Sequence, residues 1–354
     1  MHIPDGYLSP ETCGVLGTAM VPVWIAAGRR VRSVVKSRYV PLVALGAAYC
    51  FLVMMFNIPI PDGTTAHAAG AVLVAVLLGP WAAVIAMSTA LIIQALFFGD
   101  GGVLAIGANC FNMAFVMPFV GYAVYKVLTR RSSLTDRRRA VAAGLGGYVG
   151  LNAAALFAAV EFGLQPMLFK SVNGTPLYAP FHLAQTIPAM ALAHFVVAGV
   201  VEFALTFGVI SYLQRANVPV MRINHPDVSN DTYDRGRPVK GWRWALIGLG
   251  IMVALTPLGL LAPGGAFGED SPANLQLGKY GLQAVPTGLS RWATWWDRSV
   301  LGGYGFKSGE HPTIAYLVSA VAGIVVIAAV VTLGYALART LGRLRRPRLR
   351  PSAT

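Results

Sequence analysis

AHAAGAVLVAVLLGPWAAVIAMSTALIIQALFF, residues 66–98, decides the fold class. The stretch holds no Lys, Arg, Asp or Glu, and Gly79-Pro80 divides it into a shorter and a longer apolar run. Inside lipid only helices and closed barrels satisfy their backbone groups. A barrel strand would alternate with period two over about ten residues, and this sequence does not. A helix needs roughly 17–25 mostly apolar residues to cross a bilayer. Residues 81–98 meet that length, and 66–79 form a short companion.

Similar runs lie on both sides, near 13–28, 40–57, 103–125, 140–160, 181–212, 244–262 and 313–337. The expected fold is therefore an all-α polytopic transmembrane helical bundle of about nine spans, a seven-span core followed by a two-span extension. Composition agrees: 56% of residues are hydrophobic, 12% are charged and mean hydropathy is +0.61, too apolar for a surface facing water. A net charge of +14 does not point to nucleic acid, because the basic residues fall in short runs between apolar stretches and not on one soluble face. Lipid is the expected surrounding partner, with no nucleic acid.

Four basic clusters, Arg29 to Arg38, Lys126 to Arg139, Arg215 to Arg243 and Arg339 to Arg350, carry five, six, six and six of the 28 Lys and Arg residues. Cytoplasmic loops carry that excess. Nine spans with the N-terminus outside place all four clusters in the cytoplasm. Omitting 66–79 would set the first cluster opposite the others, so the charge pattern argues that this segment crosses. The expected location is the bacterial or archaeal cytoplasmic membrane, multi-pass, with the C-terminus inside. MHIPDGYLSPE has no basic n-region, and residue 1 is expected to be the mature start.

Asn217 to Val239 is polar and rich in Pro, Asn and Asp, which marks a cytoplasmic linker. The expected division is a core at 1–215, a linker at 216–243 and an extension at 244–354. The extension's outer loop, 263–312, carries Trp292, Trp295 and Trp296, a candidate interfacial belt.

This topology brings Met1 and His2 to the same side as His67. A free amine, the following amide nitrogen and the His2 imidazole can close five- and six-membered chelate rings on one metal ion, and His67 can add a fourth nitrogen. Such a set suits Ni(II), Cu(II) or low-spin Co(II) better than tetrahedral Zn(II). It also discriminates against Mg(II) and Ca(II), which take oxygen ligands. Because acidic residues are sparse, ion attraction is expected to rest on the chelate and not on a carboxylate funnel. The bland alternative is that termini are disordered and that a His near a helix end only satisfies an interface.

Other candidates are weaker. His182 and His194 stand twelve residues apart and do not share a helix face closely; His225 and His311 fall in loops. Glu202, Glu161, Asn109, Asn112, Gln94 and Asn152 lie in or beside apolar runs, where interhelical hydrogen bonding accounts for them. Cys13, Cys50 and Cys110 are too far apart for a metal motif and read as packing residues. No GxxxxGK[ST], HExxH or GxSxG occurs, so nucleotide hydrolysis by that loop and hydrolase chemistry are not expected.

Four stretches resemble the CbiM/NikM family, the substrate-binding components of energy-coupling factor transporters for cobalt and nickel. They are MHIPDGYLSP at the start, PDGTTAH ending at His67, LLGPWAA at 77–83 and FGDGGVLAIGANCFNMA at 98–114. The resemblance covers residues 1–212. GGAFGED at 264–270 and VPTGLSRWATWW at 285–296 are similar to a C-terminal extension laid out like the small two-span N component. The resemblance implies metal ligation by Met1, His2 and His67, with Asp100 and the segment Asn109 to Asn112 clamping a buried N-terminus. It also implies a transmembrane coupling subunit and ABC-type ATPases as partners, Co(II) or Ni(II) as cargo, and no organic cofactor. The chain departs from the family pattern at Asp62, Thr65, Ala66 and Val201, none of them a nitrogen ligand.

Two other classes compete. A self-contained secondary divalent-cation transporter or channel would need an intramembrane carboxylate, for which Glu202 is the candidate. A membrane enzyme would draw on Glu269, Asp270, Asp297 and His311 of the outer loop, where no spacing specifies a reaction. A transport subunit, not an enzyme, is the favoured reading.

Overall fold

The computed structural model describes residues 1–34, 40–60, 64–226, 228, 242–262 and 265–344. Lys36 and Arg38 of the first basic cluster, Asp62, most of the expected linker and the tail beyond Leu344 lie outside the described residues.

Helix α1 (Pro10–Val34) starts where Ser9 Oγ accepts from the Thr12 amide, and Pro10 occupies a first-turn position whose N–H would lack a partner anyway. It is followed by α2 (Val40–Met54) and a two-residue hairpin, β1 (Ile58–Pro59) and β2 (Thr65–Ala66), with Ile58 opposite Ala66. Then come α3 (Ala71–Leu78), α4 (Pro80–Phe98), α5 (Ile106–Leu128), α6 (Arg137–Leu168) and α7 (Leu183–Ala216). The extension contributes α8 (Trp242–Leu255), the short outer helix α9 (Thr287–Trp292) and α10 (Pro312–Leu344). Among the described residues seven helices are long and apolar enough to cross a membrane, namely α1, α4 to α8 and α10, with α8 prolonged to Leu261. The chain is thus an all-helical multi-pass bundle.

Helices α5 and α6 meet backbone to backbone. A Cβ on Gly121 would stand 2.6 Å from the Gly146 carbonyl, and one on Gly146 would stand 2.5 Å from that of Gly121. Small residues replace hydrophobic drive as the means of close packing where the solvent is lipid. The extension joins the same bundle through α10: Tyr316 Oη donates to the Met55 carbonyl at 2.9 Å, and Gly323 fits against the Phe51 ring.

The short third span differs from the helix expected over 66–79. Its helical part, α3, is only eight residues long, about 12 Å at 1.5 Å per residue. The two-residue strand Thr65–Ala66 and the non-helical residues 67–70, which end in the left-handed Gly70, lead into it. The segment still joins the two ends of the bundle. Its start is buried beside the N-terminus, while Asn224 donates to the Ala75 and Val76 carbonyls near its other end. Helical hydrogen bonds are missing from the residues before α3, so partners elsewhere must satisfy them.

The α-helical ladder widens to π turns at Gln94–Phe98, Cys110–Val116 and Leu192–Ala198. Such turns reorient side chains and recur at functional sites. Gln94, Asn112 and His194 sit on them.

The three cysteines are buried and unpaired, as a packing role requires. The tryptophan belt is only part of the story for the outer loop, because Trp296 Nε1 donates to the Leu96 carbonyl at 3.1 Å and so ties the loop to the end of α4.

Candidate metal centre

Residues 1–9 run into the protein without helix and turn at residues 5–7, and Met1, His2, Ile3, Tyr7, Leu8 and Ser9 are at most 3% exposed. Burying a polar backbone demands a partner for each group. Asn109 supplies two: its Oδ1 accepts from the Ile3 amide at 2.8 Å and its Nδ2 donates to the Ile3 carbonyl at 3.0 Å. That carbonyl also accepts from Gly102 N, the Tyr7 carbonyl from Ala179 N, and Gln165 Oε1 from Ser9 N. The Asp5 carboxylate accepts from the amides of Val103, Leu104 and Ala105, closing the start of α5 with a negative charge. Gly102 leaves room for this: a Cβ there would fall 2.5 Å from the Asp5 amide nitrogen.

The second ligand strand is held just as tightly. Glu202 Oε2, on α7, accepts from the amides of Ala69 and Gly70 at 2.9 and 3.0 Å. The turn after His67 is thereby pinned to a buried carboxylate, with Gly70 at φ +78° and a Tyr49 ring where a Cβ would stand.

These two supports bring the imidazoles together. His67 Nε2 lies 3.2 Å from His2 Nδ1, with ring centroids 5.0 Å apart. His67 Nδ1 is 2.9 Å from the Ala68 carbonyl. A carbonyl can only accept, so Nδ1 carries the proton and Nε2 presents its lone pair to His2. Two nitrogens bound to one ion at about 2.0–2.1 Å sit close to this separation. Burial lowers His2 to about 4 and so keeps its imidazole neutral near pH 7.

The amino group of Met1 is in the same place, but its partner is Glu269 Oε1 at 2.8 Å. The ligand atoms of His2, His67 and Glu269 all lie within 4.8 Å of one another. Asp100 Oδ1 is 3.3 Å from His2 Nδ1, and Asp100 Oδ2 is held by Tyr304 Oη and Gln94 Nε2. Burial and the nearby Glu269 charge raise Asp100 to about 6. Burial alone would also raise Glu269, but the Met1 ammonium and the His2 and His67 rings outweigh it and the carboxyl stays below its ordinary value. Two carboxylates therefore flank the imidazoles, contrary to the expectation of a site without a carboxylate funnel.

The extension closes over this centre. Thr65 N donates to the Gly265 carbonyl, Tyr7 Oη donates to the Asp270 carbonyl, and Leu289 N donates to that of Leu177. Gly6, at φ +88°, lies so close to α9 that a Cβ would fall 2.7 Å from the Leu289 carbonyl.

The remaining candidates stand apart. His194 Nδ1 donates to the Met190 carbonyl inside its own helix, His225 Nε2 faces Tyr125 Oη, and His182 and His311 are exposed. Glu161 accepts from Asn112 between α6 and α5, the interhelical bond expected of it, whereas Asn152 turns back to the Tyr148 carbonyl of its own helix. Glu269 was weighed only as a loop acid. The signal that could have singled it out is its place in GGAFGED, beside the segment that meets Thr65. Glu202 is marked in the sequence as a carboxylate within an apolar run, but neither its role nor that of Asp5 is, because their partners are backbone amides.

Seven helices long and apolar enough to cross a membrane, around two buried imidazoles and a buried amino terminus, define a multi-pass membrane protein with a cluster of nitrogen donors at its centre. Residues 2–220 match the model of the cobalt uptake substrate-specific transmembrane region, CbiM, and the chain belongs to that family. It is 47% identical over 341 residues to the fused nickel transport protein NikMN of Rhodobacter capsulatus, covering 93% of this chain and 95% of that one. It is 35% identical over 133 residues to the cobalt transport protein CbiM of Acetohalobium arabaticum, across 37% of this chain and 53% of that protein. A crystal structure of a truncated transition metal transporter is 55% identical, with a TM-score of 0.57, and covers 61% of this chain and 99% of its own. The R. capsulatus match runs through the extension as well as the core.

Proposed function

We propose that this chain is the substrate-capture subunit of an ATP-driven energy-coupling factor transporter that imports Ni(II) or Co(II). In this reading the ion is bound by the Met1 amine, the His2 amide and Nδ1, and His67 Nε2. The observation that carries it is the 3.2 Å approach of His67 Nε2 to His2 Nδ1, in a buried pocket that also receives the Met1 amino group. With residues 1–215 as the capture core, 216–243 as linker and 244–354 as extension, the site opens on the outer face of the cytoplasmic membrane. The C-terminus lies inside. A transmembrane coupling subunit and ABC-type ATPases would then reorient the loaded core and release the ion inward.

Membership of the CbiM family and the nickel and cobalt transport proteins it resembles support the cargo. The nitrogen set supports it chemically, since imidazole and amine nitrogens suit Ni(II) and Co(II) and disfavour Ca(II) and Mg(II). Glu202 supports a capture role over self-contained carriage, because its carboxylate is engaged with two backbone amides.

The test compares the native chain with one extended by a few residues before Met1, after exposure to equal Ni(II) and Co(II). The extension keeps every side chain and removes the free amine. The native protein is expected to retain about one ion per chain and the extended form none; equal retention would remove Met1 from the ligand set.

A further inference from the structure

We propose that Glu269 is a metal ligand supplied by the extension, which receives the incoming divalent ion from solvent and hands it to the nitrogen chelate. The proposal rests on the chelate reading above and adds a residue and a step to it. Three observations converge on it.

The first is position. Glu269 Oε1 is 2.8 Å from the Met1 amino nitrogen, and the ligand atoms of Glu269, His2 and His67 lie within 4.8 Å of one another. The second is access. The Glu269 side chain is 22% exposed and the Met1 amino group 0%, while His2 and His67 are 2% and 3% exposed. Of that ligand cluster only the carboxylate meets solvent. The third is construction. The loop bearing Glu269 is fixed on both ligand strands, through Thr65 N to the Gly265 carbonyl and Tyr7 Oη to the Asp270 carbonyl. It turns at Gly268, φ +77°, where a Cβ would meet the Phe162 ring at 2.9 Å.

Chemistry then orders the events. A carboxylate is a hard oxygen donor that takes hydrated divalent ions readily and holds borderline ones less firmly than nitrogen. It also holds the amine in reserve, since one nitrogen cannot pair with Glu269 as an ammonium and donate a lone pair to a metal. An ion arriving at Oε1 displaces the ammonium. The amine and the His2 amide, each giving its proton to water, join the His2 and His67 imidazoles on the ion, and Glu269 is released. The unpartnered Nε2 of His2 leaves that ring free to carry its proton there while Nδ1 binds the ion.

The experiment uses the full chain with its native N-terminus and the variants Glu269→Gln and Glu269→Asp. Ni(II) loading is followed by stopped-flow absorption at low metal, with and without excess Ca(II), and retained nickel is measured at saturation. All three proteins are expected to retain about one ion per chain. Glu269→Gln is expected to load about tenfold more slowly or worse, the scale on which a focusing charge raises on-rates, with Glu269→Asp restoring most of the rate. Excess Ca(II), which seeks oxygen ligands, should slow the native protein and leave Glu269→Gln unaffected. Loading of Glu269→Gln at the native rate, or indifference of the native rate to Ca(II), would overturn the proposal while leaving the chelate intact. So would a Glu269→Gln chain that retains no nickel at saturation, because a hand-over ligand is not needed at equilibrium. A native chain that retains none would overturn the chelate itself, and the hand-over with it.

Discussion

His67 Nε2 stands 3.2 Å from His2 Nδ1 although 65 residues separate them in sequence. The hairpin β1–β2 and the non-helical half of the third span deliver His67, while the buried N-terminal strand delivers His2. In the proposed chelate, removing either imidazole takes away one of four nitrogen donors. His67→Ala and His2→Ala are each expected to weaken Ni(II) binding by more than about 100-fold, beyond the 10–100-fold typical of losing an outer partner. Equilibrium metal titration of the purified chain checks this. Retention of native affinity by His67→Ala would move the site elsewhere.

The clamp on Ile3 should matter almost as much as a ligand. Asn109 meets both the amide and the carbonyl of Ile3, and an alanine there leaves two buried backbone groups without that partner. Asn109→Ala is expected to lower Ni(II) affinity by about 10–100-fold with the helical content unchanged. Asn109→Asp keeps the acceptor for the Ile3 amide and loses the donor, so it should fall between. Titration beside circular dichroism separates this from unfolding.

Glu202 offers a direct choice between two mechanisms. As the acceptor for the Ala69 and Gly70 amides, it positions His67 without touching the ion. Glu202→Gln can keep both bonds on its amide oxygen, whereas Glu202→Ala removes the one oxygen that accepts from both amides, so a loss of about tenfold in Ni(II) affinity is expected of it. A self-contained cation carrier would behave differently: binding would survive the substitution, and uptake would proceed in cells lacking ATPase partners. Those two measurements decide between the readings.

The spans were legible in the sequence because long apolar runs and loop charge report directly on lipid and on sidedness. The third span was only half legible. Apolar content marks Ala71 to Leu78 and the residues before it as membrane material, but it does not distinguish helix from non-helical chain. The non-helical course of residues 65–70 depends on Glu202 and the Gly265 carbonyl, partners more than a hundred residues away. Chelate geometry and topology singled out Met1, His2 and His67 as the proposed ligand residues. Asp100 was named only through the family resemblance, and the places of Glu269 and Asp5 were not legible, because a carboxylate's role is set by what the folded chain brings to it. Counting few acids in the sequence suggested a site without carboxylates; folding concentrates two of those few beside the imidazoles.

Gly6 joins the ligand strand to the extension. Its φ of +88° is a conformation L side chains rarely adopt, and a Cβ would collide with the Leu289 carbonyl and the Ala293 amide of the segment containing α9. Gly6→Ala is expected to cost more than about 1 kcal/mol locally, lifting α9 from the N-terminal strand. Hydrogen exchange should quicken over residues 287–296 and not in α5 or α6. Unchanged protection there would mean that the outer loop does not depend on this contact.

Proton release on metal binding gives the sign of the pH dependence. The Met1 amino group pairs with Glu269 Oε1 as an ammonium, and the His2 amide carries its own proton. Ligation by both nitrogens sends about two protons per ion to solvent, since metal ligands must be deprotonated. His2 adds none near pH 7, because burial has already lowered it to about 4 and its ring is neutral. Protons are products of binding, so affinity should rise with pH across the neutral range and fall as pH drops toward 5. Calorimetry of Ni(II) binding in buffers of different ionisation enthalpy measures the number released. A count near two supports the amine and the amide as ligands together; a count near zero would leave only the two imidazoles, a set too small to select Ni(II) or Co(II) by geometry.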